Sequence, residues 1–71
     1  EGGTFPVVLN KANDEVVHAF LNEMIQFTDI PKLIEEALES HDYVNDPDLE
    51  IISEISQWTT NFIHDKITIL A

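Results

Sequence analysis

Apolar residues recur at helical spacing along the first third of the chain and predict a helix over about residues 4–22. Thr4 is expected to cap this helix, and Pro6 lies in its first turn, where the missing backbone N–H costs nothing. One apolar stripe contains Phe5, Val8, Leu9, Ala12, Val16, Ala19 and Phe20. A second stripe, on another side, contains Val7, Val17 and Leu21. Because a surface helix needs only one apolar stripe, the second one predicts another neighbour.

The same pattern predicts a second helix over about residues 30–40, with Pro31 in its first turn and Asp29 as its cap. Its stripe consists of Ile30, Leu33, Ile34, Ala37 and Leu38. A polar loop over residues 41–47 leads to a third helix over about residues 48–67, capped by Asp46 or Asp48. Its stripe consists of Leu49, Ile52, Ile55, Thr59, Phe62 and Ile63, widened by Ile51 and Trp58. The β-branched end, residues 67–71, is expected to fray or to pair outside the helix.

These elements predict the all-α class: three helices packed antiparallel with short connections, in a single domain that covers residues 1–71. Fourteen acids oppose three lysines, which gives a net charge of −11. Such a surface repels nucleic acid phosphates and anionic lipid, so we expect neither as a partner. No cysteine is present, so no disulfide can stabilise so small a core.

The three histidines raise the question of a metal site. They are His18, His41 and His64, and no pair has the i, i+4 spacing that places two ligands on one side of a helix. We therefore interpret them as exposed surface histidines. Catalytic, cofactor-binding and metal-binding residues are all predicted to be absent from this chain, because it also lacks a phosphate-cradling glycine loop and a dinucleotide fingerprint.

Oxygen-bearing side chains cluster in the second loop, at Asp42, Asn45, Asp46, Asp48 and Glu50. Their spacing lacks the central glycine and the distant glutamate of an EF-hand, so helix capping and turn formation explain them better. Asn10 and Asn13 are poor helix formers inside the first helix. We expect them to hydrogen-bond to backbone groups of adjacent loops.

The run from Gly2 to Pro31, GGTFPVVLNKANDEVVHAFLNEMIQFTDIP, resembles the start of the C-terminal helical domain of 1-deoxy-D-xylulose 5-phosphate reductoisomerases. The matching residues are Gly2-Gly3-Thr4, Pro6, Leu9-Asn10, Ala12-Asn13, Phe20-Leu21 and Ile25-x-Phe27-x-Asp29-Ile30-Pro31. The third helix departs from the family pattern. Trp58 stands where an aromatic residue is frequent, but Thr59-Thr60 follow it and Ser56 replaces a common aspartate.

The resemblance implies an enzyme of isoprenoid biosynthesis that rearranges its substrate and reduces it with NADPH to 2-C-methyl-D-erythritol 4-phosphate. It also implies Mg²⁺ or Mn²⁺ as the metal, a homodimeric parent protein, and a location in the bacterial cytoplasm or in a plastid-type organelle. The nucleotide-binding domain and the metal ligands of that family lie upstream of the matched region. This chain is accordingly expected to be a non-catalytic remnant of a larger C-terminal helical bundle, with the upstream domains of the same chain as its partners.

Glycine is common just past the C-terminus of a helix, so Gly2-Gly3 predicts that a helix precedes this chain. The family resemblance supplies such a helix. Val7, Val17 and Leu21 are expected to pack on that upstream structure. In the isolated chain we expect them to be exposed, or to be covered by a second copy.

Two other functions fit the size and acidity of the chain. One is a stand-alone acidic protein-interaction bundle. The other is an acyl carrier protein, which carries phosphopantetheine on a serine that follows an aspartate. The serines here are Ser40, Ser53 and Ser56, and they follow Glu39, Ile52 and Ile55. No Asp-Ser pair exists, which argues against a carrier.

The charge imbalance generates a prediction about salt. Folding brings fourteen acids and three lysines onto one small surface, so repulsion among the acids opposes it. Added salt screens this repulsion, with a Debye length of about 10 Å at 0.1 M. We expect the melting temperature, followed by circular dichroism, to rise between low and moderate NaCl. An unchanged melting temperature would contradict the prediction.

Overall fold

A computed structural model describes residues 3–70 and contains three α-helices: α1 (Phe5–Leu21), α2 (Asp29–Ser40) and α3 (Leu49–Leu70). No strand occurs within these described residues. The start of α1 lies against the end of α2, since Thr4 contacts His41. In the middle of the bundle, Glu15 of α1 contacts Thr60 of α3. The chain thus runs up, down and up through three packed helices, which confirms the all-α bundle.

The core is small, and α1 contributes more residues to it than either of the other helices. Its members are Val8, Ala12, Val16, Ala19, Ile25, Leu33, Ala37, Ile63 and Ile67. Three of the nine are alanines, and short side chains let neighbouring helix axes approach closely. Phe5, Leu9 and Leu49 were expected in the apolar stripes but are 50%, 46% and 84% exposed. Phe5 and Leu49 are the first residues of their helices.

The end of α3 differs from the expectation that residues 67–71 fray or leave the helix. Within the described residues α3 continues to Leu70, and residue 71 lies outside them. Ile67 is 4% exposed and belongs to the core. Burial of this side chain holds the last turn in place, and it outweighs the few tenths of a kcal/mol that β-branched residues cost a helix.

The caps of the helices were predicted only in part. Asp48 caps α3, since its Oδ1 accepts the backbone N–H of Ile51 at 2.9 Å. Thr4 precedes α1 but makes no side-chain capping bond, so that prediction was wrong. Asp29 is also not a cap, because it is already the first residue of α2. Its carboxylate accepts the N–H of Gln26 at 2.9 Å, and its charge still favours the helix N-terminus.

A Schellman motif ends α1 without a glycine. The N–H of Met24 donates to the carbonyl of Ala19 at 2.9 Å, and the N–H of Glu23 donates to the carbonyl of Phe20 at 3.0 Å. Glu23 adopts a φ of 61°, in the left-handed region where glycine is the usual residue. The turn between α1 and α2 therefore contains a strained glutamate.

Replacing Glu23 with glycine should relieve this strain. The left-handed conformation costs a residue with a Cβ about 1 kcal/mol, so we expect Glu23→Gly to raise the free energy of unfolding by about that amount. Urea unfolding measures it. Glu23→Ala is the matched control, because it removes the charge near the helix C-terminus but keeps the Cβ. Equal stabilisation by both variants would assign the effect to charge and would contradict the strain argument.

Candidate functional site

The side chain of Thr4 is fully buried, and its hydroxyl has two hydrogen-bond partners in other parts of the chain. Its Oγ1 accepts the backbone N–H of Val44 at 3.0 Å, and its own N–H donates to the carbonyl of Val44 at 3.0 Å. The same Oγ1 lies 2.9 Å from Nε2 of His41. Thr4 thus joins the start of α1 to the loop between α2 and α3, and this use of its hydroxyl explains why it does not cap α1.

His41 completes the connection to α2 and is 7% exposed. Its Nδ1 lies 2.8 Å from the carbonyl oxygen of Leu38, which can only accept, so Nδ1 carries the proton. In the neutral ring, Nε2 is then the acceptor for the hydroxyl proton of Thr4. The expectation that all three histidines are surface residues was therefore wrong for His41. Burial is possible because both ring nitrogens have partners.

Gly3 lies directly against this network. Its φ is 49°, and a Cβ built on it would overlap the carbonyl oxygen of Val44 and lie 2.8 Å from the hydroxyl of Tyr43. Both the backbone conformation and the space therefore require glycine at this position. We name the group formed by Gly3, Thr4, His41, Tyr43 and Val44 the latch.

Aromatic rings surround the latch. Phe5 lies 5.7 Å from Tyr43 and 5.8 Å from His41, measured between ring centroids. On the other side, His41 lies 6.4 Å from Trp58 of α3. Phe5 and Tyr43 are each 50% exposed, so this end of the bundle presents aromatic surface to solvent.

The other two histidines lie far from the latch. His64 donates from Nε2 to Oε1 of Glu15 at 2.9 Å, and Thr60 donates to the other carboxylate oxygen at 3.2 Å. His18 is exposed. Across residues 3–70, no three His, Asp or Glu side chains converge in a way that could hold a metal ion. Glu15 and its partners instead join α1 to α3 through polar contacts.

Asn10 and Asn13 do not have the role expected of them. Both are exposed, and within residues 3–70 neither side chain hydrogen-bonds to a loop. They lie on the outward side of α1 together with Val17 and Leu21, which are 38% and 73% exposed. Val7, the third residue of the second stripe, is half-buried.

We call the surface formed by Asn10, Asn13, Val17 and Leu21 the outer face of α1. It is poor in charge, unlike the rest of the chain. Two acids and one lysine occur in the whole of α1; Glu15 points towards α3, and Asp14 is exposed beside Asn10 and Val17, so the face carries one acid. Interface centres are depleted in charged residues, so this face has the composition of a contact surface. None of the helices in the described region combines the length and apolarity needed to cross a bilayer.

Three helices packed around a small core, with one face of α1 exposed, define a small all-α bundle domain. The particular family follows from comparison with known proteins. The family model described as the DXP reductoisomerase C-terminal domain matches residues 1–62, and the chain belongs to this family. No solved structure matches significantly.

Several similar curated proteins are named 1-deoxy-D-xylulose 5-phosphate reductoisomerase. The protein from Geobacillus sp. (strain WCH70) is 50% identical over 66 residues, which is 93% of this chain and 17% of that protein. The protein from Heliobacterium modesticaldum is 41% identical over 66 residues, with the same two coverages. That from Halothermothrix orenii is 50% identical over 58 residues, 82% of this chain and 15% of that protein. The chain therefore spans about a sixth of the length of its relatives.

Two fully buried threonines allow a matched test of the latch, Thr4 and Thr59. Thr4→Val keeps the shape but leaves the N–H of Val44 and Nε2 of His41 without a partner, so we expect a loss of about 2 kcal/mol or more in the free energy of unfolding. In Thr59→Val, the carbonyl of Ile55 loses a hydroxyl but keeps its helical N–H partner, so we expect a loss below about 1 kcal/mol.

Urea unfolding of both variants and of Thr4→Ser, which keeps the hydroxyl, measures the difference. Similar losses in Thr4→Val and Thr59→Val would show that the latch contributes no more than an ordinary buried threonine.

Proposed function

We propose that this chain is the non-catalytic helical domain of a 1-deoxy-D-xylulose 5-phosphate reductoisomerase. In this proposal the whole protein converts that sugar phosphate to 2-C-methyl-D-erythritol 4-phosphate with NADPH and Mg²⁺ or Mn²⁺, for isoprenoid biosynthesis. One observation carries the proposal: residues 1–62 match the C-terminal domain of this enzyme family, and relatives with this name are 41–50% identical.

The residues described here do not fit the metal or the cofactor. A divalent metal of this kind needs several oxygen ligands around one point, and no such group forms within residues 3–70. The chain has two glycines, both at its start, and no glycine-rich loop to cradle the phosphates of a nucleotide. We therefore derive no catalytic step through either group here. In the proposal, both belong to the rest of the protein.

The role we assign to the bundle is mechanical. A charge-poor outer face of α1, with Val17 and Leu21 exposed, suits a domain that packs on other parts of its own protein. Such a domain affects turnover by holding the catalytic domain in position. The parent is proposed to be a homodimer in the bacterial cytoplasm, or in a plastid-type organelle. The comparisons do not support the alternative of a stand-alone acidic interaction bundle.

A chimaeric enzyme tests the proposal. The segment of the Geobacillus protein that matches this chain is replaced by the chain, and oxidation of NADPH is followed with 1-deoxy-D-xylulose 5-phosphate as substrate. We expect kcat and KM to stay within about tenfold of the parent enzyme, because the chain is 50% identical to the segment it replaces and belongs to the same domain family. Deletion of the segment should abolish activity.

The non-catalytic part of the proposal has its own control. His18→Ala and His64→Ala remove the two exposed histidines from the chimaera and should leave kcat within about twofold. A folded chimaera without activity would contradict the family role. A large loss of kcat in either histidine variant, with KM unchanged, would contradict the assignment of a purely structural domain.

A further inference from the structure

We infer that the latch fixes the direction in which the preceding polypeptide joins the bundle, and that it thereby positions the bundle against the rest of the enzyme. This inference rests on the proposed function, in which a longer protein precedes Gly3. It assigns Thr4 and His41 as positioning residues for the catalytic part of that protein.

Hydrogen bonds are dense at the point where the chain enters α1. Thr4 and Val44 exchange two hydrogen bonds, one through the backbone of Thr4 and one through its side chain, each of 3.0 Å. A third joins Thr4 to His41 at 2.9 Å. Two hydrogen bonds to the backbone of Val44 and one to the ring of His41 leave Thr4 little freedom to rotate. The peptide bond between Gly3 and Thr4 is therefore also fixed.

The backbone at Gly3 also has a restricted shape. This residue is confined between the carbonyl of Val44 and the ring of Tyr43, with a φ of 49° that side chains rarely adopt. A flexible tether needs glycines or serines that are open to solvent. Gly3 is instead half-buried, and its conformation is set by its neighbours.

The latch is also connected to all three helices. His41 binds the carbonyl of Leu38 in the last turn of α2 at 2.8 Å, and its ring lies beside Trp58 of α3. Thr4 immediately precedes α1. The latch therefore connects the preceding chain to the whole bundle. In this inference the bundle follows the preceding chain as one rigid body, and the first turn of α1 does not move independently.

Distance measurement in the chimaeric enzyme tests this directly. One spin label is placed on α3 through Gln57→Cys, an exposed position, and the other on the surface of the Geobacillus part, in a background without other cysteines. Pulsed electron paramagnetic resonance should give a narrow distance distribution for the wild-type sequence. We expect Thr4→Val to broaden it and Gly3→Ala to shift or broaden it, whereas Thr4→Ser restores the narrow distribution.

Val16→Ala is the control for mere loss of stability. Val16 is fully buried in the core of α1 and takes no part in the latch, so its truncation destabilises the bundle without releasing the preceding chain. At a temperature where circular dichroism shows every variant folded, we expect kcat/KM to fall about tenfold in Thr4→Val and in Gly3→Ala. Val16→Ala should stay within about twofold of the wild-type sequence.

The outcomes separate this inference from the proposed function. An inactive but folded chimaera with the wild-type sequence contradicts the proposed function. An active chimaera in which Thr4→Val and Gly3→Ala keep both the narrow distance distribution and the wild-type kcat/KM overturns the latch inference alone. Equal losses in Val16→Ala and Thr4→Val also overturn it, because stability would then explain both. If Thr4→Val does not fold, the distance distribution and the kcat/KM of Gly3→Ala test the inference, because this variant keeps every hydrogen-bonding group of the latch.

Discussion

The bundle depends on the packing of α1 between the other two helices. α2 and α3 contact each other far less than each contacts α1, so neither would hold its position without it. Four of the nine core residues belong to α1, and two of these, Ala12 and Ala19, are small enough to let its neighbours approach closely. Polar contacts then keep α1 in register with α2 and α3.

Two polar contacts fix that register at different heights. Near the start of α1 the latch joins Thr4 to His41 and Val44, and in its middle Glu15 binds Thr60 and His64. Apolar packing is non-directional, so a helix in a small core can slide or rotate at little cost. Hydrogen bonds with defined geometry remove that freedom. In the latch they are also shielded from water, and every buried polar side-chain atom within residues 3–70 has a partner.

The three helices were predictable because their apolar residues repeat with the period of a helix, and Val8, Ala12 and Val16 are buried as that period requires. The latch was not predictable from the same pattern. His41 lies 37 positions from Thr4 in the sequence, and nothing local distinguishes it from an exposed histidine such as His18.

The errors at the helix ends have the same origin. A threonine before a helix is a good cap when no better partner exists, but the hydroxyl of Thr4 is used by Val44 and His41. Likewise, Ile67 is a poor helix former by propensity, yet burial in the core decides its conformation.

The role proposed for this chain depends on the division of α1 into two sides. The inward side makes the core, and the outward side, with Asn10, Asn13, Val17 and Leu21, carries little charge in a protein of net charge −11. If solubility alone had shaped the sequence, the outward side would be as acidic as α2, where Glu35, Glu36 and Glu39 are exposed. Twelve of the fourteen acids instead lie outside α1 in the sequence. In the proposed role, docking through α1 adds little charge repulsion to the contact, and the inferred effect of the latch is to set the angle at which that side is presented.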